Sequence, residues 1–251
     1  MLYLRTKDPL KRYRVSLSIK KCGNLIEKRV EFREFLRDFS GLLKWRIFLS
    51  EELPELSHRV YLAFSGGIDS GASLLIMWEI GAEITPLVVV NRSVDLDWTK
   101  NFLSEIGLKG KFLNTPDLHF RGHPCGPCSR SVRNAIYSFL LERGEDCVVV
   151  FGDCLPTGSL SITSEEFGIK IALPASLSLD KNECIALMGR EVGEYGCLLL
   201  RKTWRDRKDL RKYTLSRIMR ELRNRSIDPK TALKYIKSLE KKRFWEGTFD
   251  S

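Results

Sequence analysis

The chain has 251 residues, 43% hydrophobic, 29% charged and 10% aromatic, with 42 Lys and Arg against 32 Asp and Glu. This excludes a disordered or fibrous chain and leaves length for one or two domains with a real core. Seven cysteines, odd in number and sparse, exclude a disulfide scaffold, and no apolar run approaches the ~20 residues of a membrane span.

The N-terminus lacks a secretory apolar region, so the expectation is a cytosolic protein that does not engage membranes. In a reducing compartment, closely spaced cysteines read as ligands or redox groups. Charge is uneven. Residues 1–59 carry 14 basic and 8 acidic side chains, residues 60–200 carry 11 and 17, and residues 201–251 carry 17 and 7. An acidic middle between basic ends suggests a catalytic body with polyanion-binding flanks.

In chain order, Tyr13, Val15, Leu17 and Ile19 alternate with polar residues, the period of a half-buried strand. Gly23-Asn24 then marks a turn, and residues 25–32 form its hairpin partner. Phe32, Phe35, Leu36, Phe39, Leu42, Leu43 and Ile47 follow at helical spacing, predicting a helix over about 31–48, and Pro54 closes this module. From residue 59, β-branched runs at 60–64, 84–90, 110–113, 147–151, 169–173 and 197–200 read as strands. Helical segments at 70–80, 97–106 and 129–142 lie between them. Such alternation predicts an α/β fold, a doubly wound parallel sheet whose ligands sit at the carboxyl ends of the strands. The last 50 residues read as two basic helices, with Leu215, Ile218, Met219 and Leu222 as one stripe and Leu233, Ile236 and Leu239 as the next. Asp228-Pro229 starts the second helix. The expected organisation is a small N-terminal α+β module (1–57), a nucleotide-binding domain (58–200) and a basic helical extension (201–251).

The most specific feature is Phe64-Ser65-Gly66-Gly67-Ile68-Asp69-Ser70, between a predicted strand and a predicted helix. Paired glycines let the backbone approach an anion, and the helix start offers unpaired N–H groups and a positive dipole end. Ser65 and Ser70 add hydroxyls. Asp69 makes sense beside phosphates where Mg²⁺ bridges them. No lysine follows the glycines, unlike the lysine-bearing phosphate loop. Cys125-Gly126-Pro127-Cys128 is the second feature, in a loop after a predicted strand and just before a helix that carries Arg130 and Arg133, with His123 nearby. Those cations and the helix start are expected to lower the thiol pKa values. Two thiols at this spacing suit a metal, a cluster or a disulfide, and the spacing does not choose. Cys22, Cys147 and Cys184 read as small core residues.

The loop resembles the signature of the PP-loop ATP pyrophosphatase superfamily, in which ATP is cleaved between its α- and β-phosphates and a substrate oxygen is adenylated. With the CxxC-Ser-Arg segment and Val150-Phe151-Gly152, the chain looks most like the tRNA 2-thiocytidine/2-thiouridine sulfurtransferase group. That resemblance implies ATP and Mg²⁺ as cofactors, with the triphosphate on Ser65, Gly66, Gly67, Ile68, Asp69 and Ser70 and the adenine by Val90 and Asn91, near Gly152. It implies a catalytic set of Asp69, Asp153, Arg130 and Arg133. It also implies a 4Fe–4S cluster on Cys125, Cys128 and one distant cysteine, with zinc as the alternative. Leu173-Pro174, Lys181-Asn182-Glu183 and Tyr195-Gly196-Cys197 keep the family's order, making Cys197 the third ligand and Cys154 the runner-up. The chain departs from the group at Gly152-Asp153-Cys154, where a histidine- and aspartate-bearing motif is usual, and through Pro156, Gly158 and Ser159 beyond it. It also lacks an N-terminal zinc ribbon.

Arg201, Lys202, Trp204, Arg205, Arg207, Lys208 and Arg211 follow as a basic run interleaved with an aromatic, suited to phosphate contacts and base stacking on RNA. Lys241-Lys242-Arg243 extends the charge. The expected function is ATP-dependent thiolation of a base in RNA, tRNA above all, with a sulfur donor as second partner and a homodimer allowed. Two alternatives stand: amidation or ligation of a small molecule with CxxC as a zinc or redox site, and a non-enzymatic RNA-binding scaffold.

Overall fold

The computed structural model describes residues 4–116, 120–154, 161–190 and 195–240. The expectations at Pro156, Gly158, Ser159 and Lys241–Arg243 lie outside them.

The first element corrects the sequence reading. Residues 9–28 form one helix, α1 (Pro9–Lys28), rather than a hairpin. Asp8 caps it, its Oδ1 accepting from Leu10 N at 2.8 Å and Lys11 N at 3.0 Å, with Pro9 at the first helical position. Its buried residues are Val15, Ser18, Cys22 and Leu25, a spacing of three and four. Tyr13 and Leu17, half of the apparent alternation, are exposed. A short 3-10 turn at Val30–Phe32 leads into α2 (Arg33–Ile47), which buries Phe35, Leu36, Phe39, Leu42 and Leu43 as the spacing predicts.

The sheet uses β1 (Arg59–Ala63), β2 (Glu83–Val90), β3 (Lys111–Asn114), β4 (Cys147–Phe151), β5 (Ile162–Glu165) and β6 (Gly168–Ala172). Its order is β3-β2-β1-β4-β6-β5. Every pairing is parallel except β5 with β6, a short antiparallel edge that sequence reasoning missed. Between the strands run α3 (Ile68–Glu79), α4 (Leu96–Glu105) and α5 (Cys125–Glu142). After β6 come α6 (Leu173–Ser176), α7 (Lys181–Met188), α8 (Leu198–Asp206), α9 (Arg211–Arg223) and α10 (Pro229–Glu240). The strand expected at 197–200 is the start of α8 instead. Leu199, Leu200, Thr203 and Trp204 are buried there at helical spacing, and a run of four residues cannot reveal its period.

Alternate residues of the central strands face different cores, which makes the sheet doubly wound. Val60, Leu62, Val88 and Val150 pack with α1, α2, α3 and α7, whereas Leu87, Val89, Val149 and Phe151 pack with Ile136 and Leu140 of α5. The N-terminal helices therefore share the main core with the sheet. A third core, Leu200, Trp204, Ile218, Ala232, Tyr235 and Leu239, joins the C-terminal helices to Tyr195. No helix among the described residues is long and apolar enough to cross a membrane.

One polar clamp ties the first core to α7. Arg46 is fully buried on α2; its Nη2 lies 2.7 Å from Glu183 Oε1 and its Nε donates to Leu177 O at 3.0 Å. Lys11 of α1 adds contacts to Asp180 Oδ2 at 2.6 Å and Glu183 Oε2 at 2.9 Å. Asp180 and Glu183 also make the capping box of α7. Removing one partner leaves the other charge buried alone. Glu183→Ala is expected to cost about 3–5 kcal/mol in chemical denaturation. The Arg46→Met, Glu183→Gln pair should lose less than Glu183→Ala alone.

Candidate functional site

Strand order reverses between β1 and β4, and the crevice at such a point is where open α/β sheets bind ligands. Loop 65–70 lies there, at the end of β1 and the start of α3. Gly66 adopts φ +70°, and a Cβ on it would stand 2.6 Å from Thr99 Oγ1 and 3.3 Å from the Trp98 ring. Gly67 is the N-cap, so α3 begins two residues earlier than the sequence suggests and includes Asp69 in its first turn. Ser70 Oγ accepts from Ser65 N at 3.2 Å and donates to Gly67 O at 3.1 Å, closing the loop on itself. The first N–H groups of α3 have no intrahelical acceptor, which leaves them available to an anion.

Gly152 follows β4 and abuts this turn. A Cβ there would stand 2.5 Å from Ser70 N, 2.7 Å from Ser70 Cα and 2.9 Å from Asp69 C, all backbone atoms that cannot swing aside. Asp153 follows, its Oδ2 3.4 Å from Arg133 Nη2, both half-exposed. Arg130 is exposed on α5. At the end of β2, next to Val90, Asn91 Oδ1 accepts from Ser93 N at 2.8 Å and Ser93 Oγ at 2.5 Å. Asn91 Nδ2 is buried with no partner among the described residues.

The CxxC pair lies inside the first turn of α5, not in the loop before it. Cys128 Sγ lies 3.9 Å from Ser93 Oγ, so the Asn91 turn and the thiol pair share one wall of the crevice. Cys197 is the N-cap of α8 and exposed. Burial pushes the Cys125 and Cys128 thiols up, and charge on Cys197 pushes both further. The expected depression by Arg130, Arg133 and His123 is therefore overturned. The cation that works on Cys125 is Arg217 of α9, with Nη1 3.4 Å from Cys125 Sγ and Nε 3.1 Å from Glu221 Oε1. Tyr195 donates to the same Glu221 oxygen at 2.7 Å. Burial and Arg217 push His123 down instead.

Two groups at the loop escaped the sequence reading. Lys181, first residue of α7, places Nζ 2.5 Å from Asp69 Oδ1. Burial opposes its charge, but the Asp69 carboxylate outweighs burial and its pKa is raised. Cys184, read as core only, is buried yet has its thiol beside Cys154 and Asp69, the three ligand atoms lying within 4.8 Å of one another. A hydrogen bond to Cys184 and burial hold Cys154 far up as a neutral thiol. The Asp180 cap signals the start of α7, but nothing local reveals that Lys181 reaches Asp69.

Trp204 is corrected as an RNA-stacking residue. It is 1% exposed in the third core, with Arg205 and Arg211 guanidinium groups 5.4 and 5.7 Å from its ring centre. Arg201 donates to Gly196 O at 2.8 Å, and Arg211 to Trp204 O at 3.0 Å. Arg207 pairs with Asp209 at 2.7 Å and donates to Arg121 O at 3.0 Å. Lys202, Arg205, Arg207 and Lys208 are exposed.

No protein-family model matches the chain. It is 29% identical over 243 residues to the uncharacterized protein MJ1638 of Methanocaldococcus jannaschii, covering 88% of this chain and 91% of that protein. Among solved structures it is similar to the U34-tRNA thiolase NcsA from Methanococcus maripaludis with its 4Fe–4S cluster. That similarity is 16% in identity with a TM-score of 0.42, covering 55% of this chain and 57%, little more than half, of the other.

Gly152→Ala is expected to lose about 1–3 kcal/mol of stability by chemical denaturation, because its neighbours are main chain. In metal-free protein the raised pKa values keep Cys125 and Cys128 protonated at neutral pH. Their alkylation by iodoacetamide, followed by mass spectrometry, should therefore rise about tenfold per pH unit through pH 9. A plateau below pH 8 would contradict it.

Proposed function

We propose that this chain is an ATP-dependent sulfurtransferase acting on a base in RNA, with tRNA as the substrate class. The observation that carries the reading is the shared crevice. The 65–70 loop, the unpartnered Asn91 amide and the Cys128 thiol meet at the carboxyl end of one sheet, with Cys128 tied to the Asn91 turn through Ser93.

The loop would seat the ATP phosphates on the first N–H groups of α3, and Asn91 Nδ2 would donate to the adenine. Mg²⁺ suits the hard carboxylate oxygens of Asp69, and would be shared between them and the nucleotide. The base oxygen forms a bond to the α-phosphorus while the bond to the bridging oxygen breaks, and pyrophosphate leaves with that electron pair. Sulfur then bonds to the base carbon, and the carbon–oxygen bond breaks to release AMP. Arg133, paired with Asp153, would offset the phosphate charge that develops in the reaction.

Cys125, Cys128 and Cys197 would hold a 4Fe–4S cluster, which supplies the sulfur when bound. Zinc on the same thiolates is the alternative, and the metal content decides between them. A cluster spreads its thiolates over several irons. Lys202, Arg205, Arg207 and Lys208 would contact RNA phosphates, without the base stacking that a surface Trp204 would have given. The cytosol is the compartment consistent with reduced thiols.

Protein purified without oxygen should contain iron and sulfide and absorb near 400 nm. Cys125→Ala or Cys128→Ala should remove the iron while ATP binding persists. Asp69→Asn should weaken Mg·ATP binding about tenfold or more and leave the iron. Zinc in place of iron, or sulfur transfer intact in both classes of variant, overturns the reading.

A further inference from the structure

Two thiols and a carboxylate meet beside the loop, and the function proposed above uses only the carboxylate. One ligand atom from each of Asp69, Cys154 and Cys184 lies within 4.8 Å of the other two. Asp69 and Cys154 are half-buried, and Cys184 is fully buried.

The fold fixes each donor by a separate contact. Asp69 stands in the first turn of α3. Cys154 follows Gly152 by two residues, where the chain leaving β4 packs on that turn. Cys184 lies three residues along α7 from Lys181, so both share the helix face that looks toward Asp69. The start of α7 is held in turn by its capping box and by Arg46 and Lys11. Donors placed this way lose little freedom when an ion binds.

A pair of thiols packed only for volume is the competing reading, and such cysteines sit among apolar side chains. This pair faces a carboxylate and an ammonium. Lys181 Nζ lies 2.5 Å from Asp69 Oδ1, and Asp69 Oδ2 has no hydrogen-bond partner among the described residues. Magnesium suits the carboxylate but not two sulfurs, which select a thiophilic ion.

Charge balance favours the same ion class. Cys154 is a neutral thiol, held so by its hydrogen bond to Cys184 and by burial, while the Asp69 carboxylate and the Lys181 ammonium cancel. A divalent cation that displaces both thiol protons into solvent brings two positive charges and creates two negative ones. The net charge of the group stays at zero, with Lys181 balancing the third anionic ligand, so no unpaired charge is buried.

We infer that Asp69, Cys154 and Cys184 form a further metal site, which takes one divalent ion of the zinc class through two thiolate sulfurs and one carboxylate oxygen. The fourth tetrahedral position is left to water. The bound ion joins the first turn of α3, the exit of β4 and α7. This site is separate from the cluster on Cys125, Cys128 and Cys197, and it does not depend on the nucleotide reading.

The test uses the full chain carrying Cys125→Ala and Cys128→Ala, which removes the other closely spaced thiols. It is stripped of metal and titrated with Zn²⁺ against a competing chelator, without nucleotide. One equivalent should bind, and X-ray absorption should show two sulfur neighbours at about 2.3 Å from the zinc. Cys154→Ser or Cys184→Ser in that background should weaken binding by more than the roughly 10–100-fold that loss of a supporting group costs. Cys22→Ser should leave it unchanged. Cys184 is fully buried, so circular dichroism checks that its variant folds, and the sulfur count decides without any change at the proposed ligands. Zinc with fewer than two sulfur neighbours, or an affinity unchanged in both cysteine variants, would overturn the inference.

Discussion

The bare Cα of Gly152 is the constraint on which the rest of the site depends. The backbone of β4 passes so close to the start of α3 that any side chain would enter the Asp69–Ser70 main chain. That contact locks the two central strands to the loop and leaves the first turn of α3 facing the crevice. The stiffness comes from packed backbone, and packed backbone has no rotamers to lose when a ligand binds. Elsewhere on α3, a Cβ on Gly71 would stand 2.4 Å from Met188 Sδ of α7, the helix whose Lys181 reaches Asp69.

The surplus of positive charge does two kinds of work, and composition cannot separate them. Arg46, Arg211 and Arg217 are partly or wholly internal: they hold α7, the Trp204 carbonyl and the Cys125 thiol. Lys202, Arg205 and Lys208 remain exposed. The basic end is therefore a structural layer first, with an exposed cationic surface laid over it. Trp204 shows the same division, since its ring fills the third core under two guanidinium groups.

What could be read from the chain alone was local or periodic. The alternation of strands and helices from residue 59, the Gly66–Gly67 turn and the CxxC placement at the start of a helix all come from short-range rules. The failures came where two periods competed or where partners are remote. Val15, Leu17 and Ile19 fit a strand, but Asp8-Pro9 is the same start signal that correctly placed the last helix at Asp228-Pro229, and it should have outweighed the alternation. Lys181 with Asp69 and Arg217 with Cys125 are pairs separated by 112 and 92 residues. Their meeting is a property of the topology, and no window of sequence contains it.

The three thiols also sit on a seam. Cys125 and Cys128 belong to the helix that covers the sheet, whereas Cys197 opens the C-terminal helical layer, and Arg217 reaches back across the same boundary. Anything gripped by all three would act as a rivet between the sheet domain and the basic layer. Filling that position would then fix the angle at which the exposed basic surface is presented.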